Sequence, residues 1–180
     1  VITLLVPSHN PDGQLLVVDW YREHVDSPFE KSPLPCLYQK YTGHDNNRDW
    51  FMFTQKETRL TVEKLYNAWR PHITVDMHQM GRNGARLFVP PYVDPYEPNI
   101  DPMIVSLLSM LGTHVQAELT MQGKLGVASN AIFDAWTPAR SYTHYHGGLR
   151  FLTEAASAAY ASAVNIPEKD LRGGIGYDAR

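Results

Sequence analysis

Pro71 separates two incompatible periodicities, and the switch between them restricts the chain to folds that alternate helices with strands. Before it, Leu60, Val62, Leu65, Tyr66 and Trp69 share one face of a helix predicted over residues 54–69, with charges on the other face. Thr54, with Glu57 three residues later, fits a capping box at its start. Pro71 ends it, because proline has no amide hydrogen to donate and its ring clashes with the preceding turn. After Pro71, His72-Ile-Thr-Val-Asp-Met-His78 alternates with a period of two, as a strand does. The alternation of elements then repeats. A second helix is predicted from Pro102 to Gln122, with Asp101 as N-cap, Pro102 in the first helical position and Gly123 past the end. Leu149 to Thr153 reads as a short strand that delivers Glu154. The expected class is α/β, a mixed, mainly parallel sheet flanked by helices.

The remaining segments are less periodic. Residues 1–6, Val-Ile-Thr-Leu-Leu-Val, read as a core strand stopped by Pro7. A chain that opens on such a strand, and not on Met, is expected to be an N-terminally truncated piece of a longer one, its sheet incomplete on that side. Asn10-Pro-Asp-Gly13 is turn chemistry. Residues 14–21 are apolar and ambiguous, 24–47 form a long ordered loop, 79–100 a second loop, and 124–148 are mostly irregular. The Ala-rich stretch after Glu154 has helical composition. One domain is expected over 1–165, followed by a tail or linker over 166–180.

Composition narrows the function classes. Among 180 residues, 43% are hydrophobic, enough for a packed core and too many for a disordered chain. The net charge is -3 and the sixteen Lys and Arg are scattered, which argues against a nucleic-acid or anionic-membrane surface. No apolar run approaches the ~18 residues of a membrane span. Cys36 is the single cysteine, so no disulfide can form within the chain.

Three places carry residues suited to chemistry. Asp76 and His78 share a face at the end of the predicted strand, where a histidine can offer a ring nitrogen to Zn2+ while a carboxylate orients it. A hydrogen-bonded structural histidine is the alternative. Asn47 and Arg48, in Gly43-His-Asp-Asn-Asn-Arg-Asp-Trp50, offer a planar donor fork and an amide that suit a carboxylate. The alternative there is a polar loop packed through Trp50. Glu154 ends an apolar strand and is followed by small residues, so partial desolvation would raise its pKa toward acid–base work. A salt-bridged carboxylate at a strand edge is the other reading.

In order along the chain, Asn-Pro-Asp-Gly, Gly-x-Asp-x-Asn-Arg-x-Trp, Asp-x-His and Phe-Leu-x-Glu resemble the zinc carboxypeptidase family, the carboxypeptidase A-like metallocarboxypeptidases. The stretch from Asp45 to Glu57 and the segment Asp-Met-His-Gln-Met-Gly look most like its large bacterial members. The resemblance spans roughly Ile2 to Ser157. It implies a carboxypeptidase/phosphorylase-like three-layer sandwich and one Zn2+ per full-length enzyme. It also implies a peptide or protein substrate with a free C-terminus, and an extracellular or periplasmic location. By the same resemblance His78 is the third zinc ligand and Glu154 the general base and acid. Asn47 and Arg48 hold the terminal carboxylate, and Asp45 is a carboxylate that orients a zinc-bound histidine. Arg22 is a loose match to the arginine that polarises the scissile carbonyl. Tyr142 and Tyr145 are both candidates for the substrate-capping tyrosine.

One element of the family pattern is missing. Its first two zinc ligands come from His-x-x-Glu ahead of Asn-Pro-Asp-Gly, and no histidine here has Glu three residues later. His114 with Glu118, four residues on within a predicted helix, is no substitute. The missing pair is expected before Val1, which would leave the 180 residues alone without tight catalytic zinc. Relatives of this fold that cleave acylated amino acids or cell-wall peptides, and a domain that has lost its metal, are the rival readings. His144 and His146 are expected to be surface histidines before they are metal chelators. Arg82, Arg86 and Arg140 read as solvated loop residues. Trp20, Trp50, Trp69 and Trp136 read as core or cleft-wall residues.

Overall fold

The computed structural model describes residues 1–82, 85–124, 126–131 and 133–156. The Ala-rich stretch beyond 156 and the tail over 166–180 lie outside the described residues. The chain divides into two compact units at Trp69/Arg70.

The first unit, residues 1–69, opens with an exposed segment and then helix α1, Pro11–His24. The expected turn at Asn10-Pro-Asp-Gly13 is instead the start of this helix. The Asn10 side chain accepts a hydrogen bond from the Gly13 amide at 3.0 Å, and Pro11 fills the first helical position, where no amide hydrogen is needed. The strand expected over 1–6 does not form. Among the described residues no strand pairs with it, and an apolar run without a ladder has no reason to stay extended. The long loop over 25–45 is as expected and leads into a short 3-10 turn, Asn46–Arg48.

The helix expected over 54–69 is present in three consecutive pieces, α2 (Lys56–Leu60), a π-helical stretch (Thr61–Tyr66) and α3 (Asn67–Trp69). Its capping box does not form: Gln55 is the N-cap, and the Thr54 hydroxyl donates to the buried Asp49 carboxylate at 2.5 Å. Leu60 and Trp69, read as part of its apolar face, are exposed. The buried side chains of this unit are Gln39, Asn46, Asp49, Gln55 and Thr58, none of them apolar. A chain of amide hydrogen bonds, Gln39 to Asn46 at 2.7 Å and Asn46 to Gln55 at 3.0 Å, runs through them.

The second unit, from Arg70, is a mixed α/β layer structure. Strands β1 (Ile73–Met80), β2 (Leu87–Phe88), β3 (Val127–Ala128) and β4 (Leu149–Ala156) form a sheet in the order β1-β4-β2-β3. The β1–β4 and β2–β3 pairs are parallel, and β2 runs antiparallel to β4. Helices α4 (Pro102–Met121) and α5 (Pro138–Tyr145) flank the sheet. Helix α4 starts as its sequence dictates, with the Asp101 carboxylate accepting from the Met103 amide at 2.8 Å. Helix α5 lies where irregular structure was expected. Thr137-Pro138 sets its entry, and its eight residues are too few to show a period in the sequence.

Leu149, Phe151 and Leu152 of β4 pack with Phe88, Val89, Tyr92, Ile100 and Leu108 to form the core. Because β4 is covered on both faces its residues do not alternate in burial, whereas β1 alternates strictly between exposed and half-buried. The Tyr92 hydroxyl bridges β4, donating to the Arg150 carbonyl at 2.9 Å and accepting from the Leu152 amide at 3.0 Å. No helix among the described residues is long and apolar enough to cross a membrane.

Candidate functional site

The parallel pairing of β1 with β4 sets the site. His78 is the register partner of Glu154, and Asp76 of Leu152. Period-two alternation then puts Asp76 and His78 of β1 on the same sheet face as Arg150 and Glu154 of β4. Side chains that are far apart in sequence thus meet through two strands alone.

Asp76 is the hub. One carboxylate oxygen is 2.9 Å from His78 Nε2. The other accepts two hydrogen bonds from Arg150, from Nε at 2.9 Å and from Nη2. Burial alone would raise the Asp76 pKa. The His78 hydrogen bond and the Arg150 charge outweigh it and hold the carboxyl well below the usual carboxylate range. Arg150 Nη2 also lies 3.5 Å from His78 Nε2. That nitrogen cannot donate to Asp76 and accept from Arg150 at once. The 2.9 Å contact decides: an unprotonated Nε2 there would face a carboxylate lone pair to lone pair. Nε2 therefore carries a hydrogen in either protonation state of the ring; in the neutral ring the lone pair then falls on Nδ1, which has no hydrogen-bond partner among the described residues.

Glu154 is almost fully buried, and its Oε2 has no hydrogen-bond partner among the described residues. Burial pushes its pKa up. The charges of His78, Arg140 and Arg150 pull against that without reversing it. The sequence-based expectation of a desolvated carboxylate thus holds at this position. Arg140, read as a solvated loop residue, sits on α5, paired to Asp134 at 2.8 Å and one-third exposed.

The first unit holds the other expected residues. Asn47 and Arg48 lie in the 3-10 turn, Arg48 exposed, with its Nη1 donating to the Asn47 carbonyl at 3.2 Å. Asp49, fully buried, anchors that turn from its C-terminal side. It accepts from the Thr54 amide at 3.0 Å, the Thr54 hydroxyl and the Gln55 amide at 2.9 Å, and lies 3.1 Å from His44 Nε2. Burial would raise the Asp49 pKa, but these hydrogen bonds hold it at about 2. Asp45 accepts from the Tyr38 hydroxyl at 3.1 Å. Trp50 makes stacked ring contacts with His9 and with Tyr66. Arg22 is exposed on α1, 4.0 Å from Asp19.

On α5, the Tyr142 ring lies tilted by 47° against His146, 4.6 Å between ring centroids, and the Tyr145 hydroxyl accepts from Ser141 at 3.0 Å. His144 is buried, contrary to the surface position expected, because helix α5 turns it inward against β4; His146 is exposed. Cys36 is exposed, as is Trp136.

Arg150 is the member of this side-chain cluster that sequence reading passed over. It stands four residues before Glu154 in a strand, which places both on one face, and a charged residue inside an apolar strand needs a buried partner. That signal was available at Leu149-Arg-Phe-Leu.

The donor set can be weighed against Zn2+. His78 fits as one ligand, with a free ring nitrogen and an orienting carboxylate. Among the described residues no group of three or more His, Cys, Asp or Glu is arranged to hold a metal, so the set does not amount to a tetrahedral site by itself. No family model, curated protein or solved structure matches the chain.

Proposed function

We propose that this chain is part of a zinc metallocarboxypeptidase that hydrolyses the C-terminal peptide bond of peptides or proteins. The observation that carries the reading is the β1–β4 register: it sets a desolvated carboxylate with an oxygen unpartnered among the described residues, Glu154, beside a histidine oriented by Asp76, His78. The family resemblance of the four motifs supports it. Under this reading the sheet belongs to a carboxypeptidase-like three-layer sandwich and the protein works outside the cytoplasm. The reading requires two further zinc ligands, of the His-x-x-Glu type, beyond those that these 180 residues offer.

When bound, Zn2+ supplies a polarised carbonyl and a more acidic water. The chain's own residues do the rest. Glu154 removes a proton from the attacking water as its oxygen bonds to the scissile carbonyl carbon. It then delivers that proton to the amide nitrogen as the carbon–nitrogen bond breaks, and the water's second proton passes from the new carboxyl group to the amine, leaving a carboxylate and an ammonium group. Its raised pKa suits both halves of that transfer. The family resemblance assigns the substrate's terminal carboxylate to Arg48 and Asn47, whose planar fork and amide suit it and would set cleavage at the last residue. The same resemblance offers Arg22 as a loose match for polarising the carbonyl, and Tyr142 or Tyr145 for closing over the bound residue.

Paired peptides with free and amidated C-termini test this on the full-length protein. The expected result is loss of kcat/KM by at least about 100-fold on amidation, with Arg48→Ala removing most of that difference. Equal cleavage of the two peptides would instead favour an amide hydrolase acting on acylated amino acids or cell-wall peptides. Absence of cleavage and of bound zinc would favour a non-catalytic domain.

A further inference from the structure

We propose that Arg150 is a positioning residue: through Asp76 it fixes the His78 ring with Nε2 protonated and Nδ1 presented. The proposal rests on His78 being the metal ligand of the reading above, and extends it to a residue outside the four motifs.

The geometry carries it. The Arg150 side chain is only 4% exposed, so water cannot balance its charge. Its counter-charge among the described residues is Asp76, whose one oxygen takes both guanidinium hydrogen bonds. The backbone that carries the guanidinium is fixed as well: the Arg150 carbonyl accepts from the Tyr92 hydroxyl at 2.9 Å, and its amide donates to His144 Nδ1 at 3.5 Å. With Oδ2 fixed by Arg150, the carboxylate plane has one oxygen left, Oδ1, and it meets His78 Nε2 at 2.9 Å. A carboxylate free to rotate would hold neither the ring angle nor the tautomer. One anchored by a rigid planar fork holds both. The order Arg150, Asp76, His78 is thus a relay of orientation across two strands.

The test has two readouts. In this chain without metal, ring nitrogen chemical shifts of His78 in mildly alkaline solution should show the Nε2–H tautomer as the main species. Arg150→Gln should give a mixture of tautomers, and Arg150→Lys should restore part of the preference. In the full-length protein, zinc competition with a chelator should show affinity about 10–100-fold weaker in Arg150→Gln, partly recovered in Arg150→Lys. A native His78 protonated at Nδ1 overturns the relay, and needs no variant that might fail to fold. Unchanged tautomer and zinc affinity in a folded Arg150→Gln overturn it too. A native full-length protein that shows the Nε2–H ring but binds no zinc overturns the metal reading and with it the use of Arg150, a failure the ring measurement separates from failure of the relay.

Discussion

Burial holds the His144 imidazole neutral, pulling its pKa down to about 4; the Arg150 charge adds to this and a backbone hydrogen bond at Gly148 opposes it. The consequence for stability has a definite sign. In the unfolded chain the ring takes up a proton as pH falls through about 6.5, while the folded chain resists until about 4. The stabilisation is therefore complete above about pH 6.5 and is lost across that window, by up to about 3 kcal/mol. Urea unfolding at about pH 7 and about pH 4.5 should show this loss, and His144→Gln should remove most of it. A loss of the same size in the variant would assign the pH dependence to other groups. Glu154 has the opposite sign. Its raised pKa means that folding is opposed once pH exceeds the ordinary carboxylate value. The site retains that carboxylate at a cost in stability, as expected of a working group more than of a structural one.

At the scale of elements, close approach of backbone to backbone decides the packing of α4. A Cβ on Gly112 would lie 2.0 Å from the Pro90 carbonyl oxygen, so α4 can sit against that loop only with glycine there. Gly112→Ala should destabilise the protein by about 2–3 kcal/mol through displacement of the helix, despite alanine's better helix propensity. A neutral or stabilising result by denaturant unfolding would mean that the helix can shift without cost. The same scale shows what the sequence could reveal. Helix α4 was legible because Asp101, Pro102 and Gly123 mark both ends chemically. Strand β1 was legible because apolar Ile73, Val75 and Met77 alternate with polar Thr74, Asp76 and His78, a period of two, although the polar set lies on its more buried face. Helices α1 and α5 were not legible. In α1 the Asn-Pro-Asp-Gly chemistry suits a turn and a helix start equally, and in α5 eight residues carry too little pattern. The pairing of His78 with Glu154 depends on a strand register that links residues 76 positions apart, and no local signal encodes it.

At the scale of the whole molecule, apolar surface is unevenly used. Ile73, Val75 and Met77 project from the exposed face of β1, an edge strand of the described sheet. An edge with exposed apolar residues invites pairing with another chain. The isolated 180-residue chain should self-associate as concentration rises. Val75→Lys with Met77→Lys should reduce this, while each costs less than about 0.5 kcal/mol because both side chains are exposed. Sedimentation at several concentrations measures it, and equal self-association of native and variant chains would exonerate this edge. Residues 1–69 add to the imbalance, since their buried side chains are all polar and leave little apolar burial to offset chain entropy. This segment alone should lack cooperative thermal unfolding by circular dichroism.

Under the proposed function Glu154, desolvated beside His78, moves the proton in C-terminal peptide hydrolysis. Turnover of a peptide with a free C-terminus by the full-length Glu154→Gln protein, at matched zinc content, tests it most directly. The expected result is a kcat lowered by about 10^2–10^4-fold with zinc still bound. A kcat within a few-fold of the native value would contradict it.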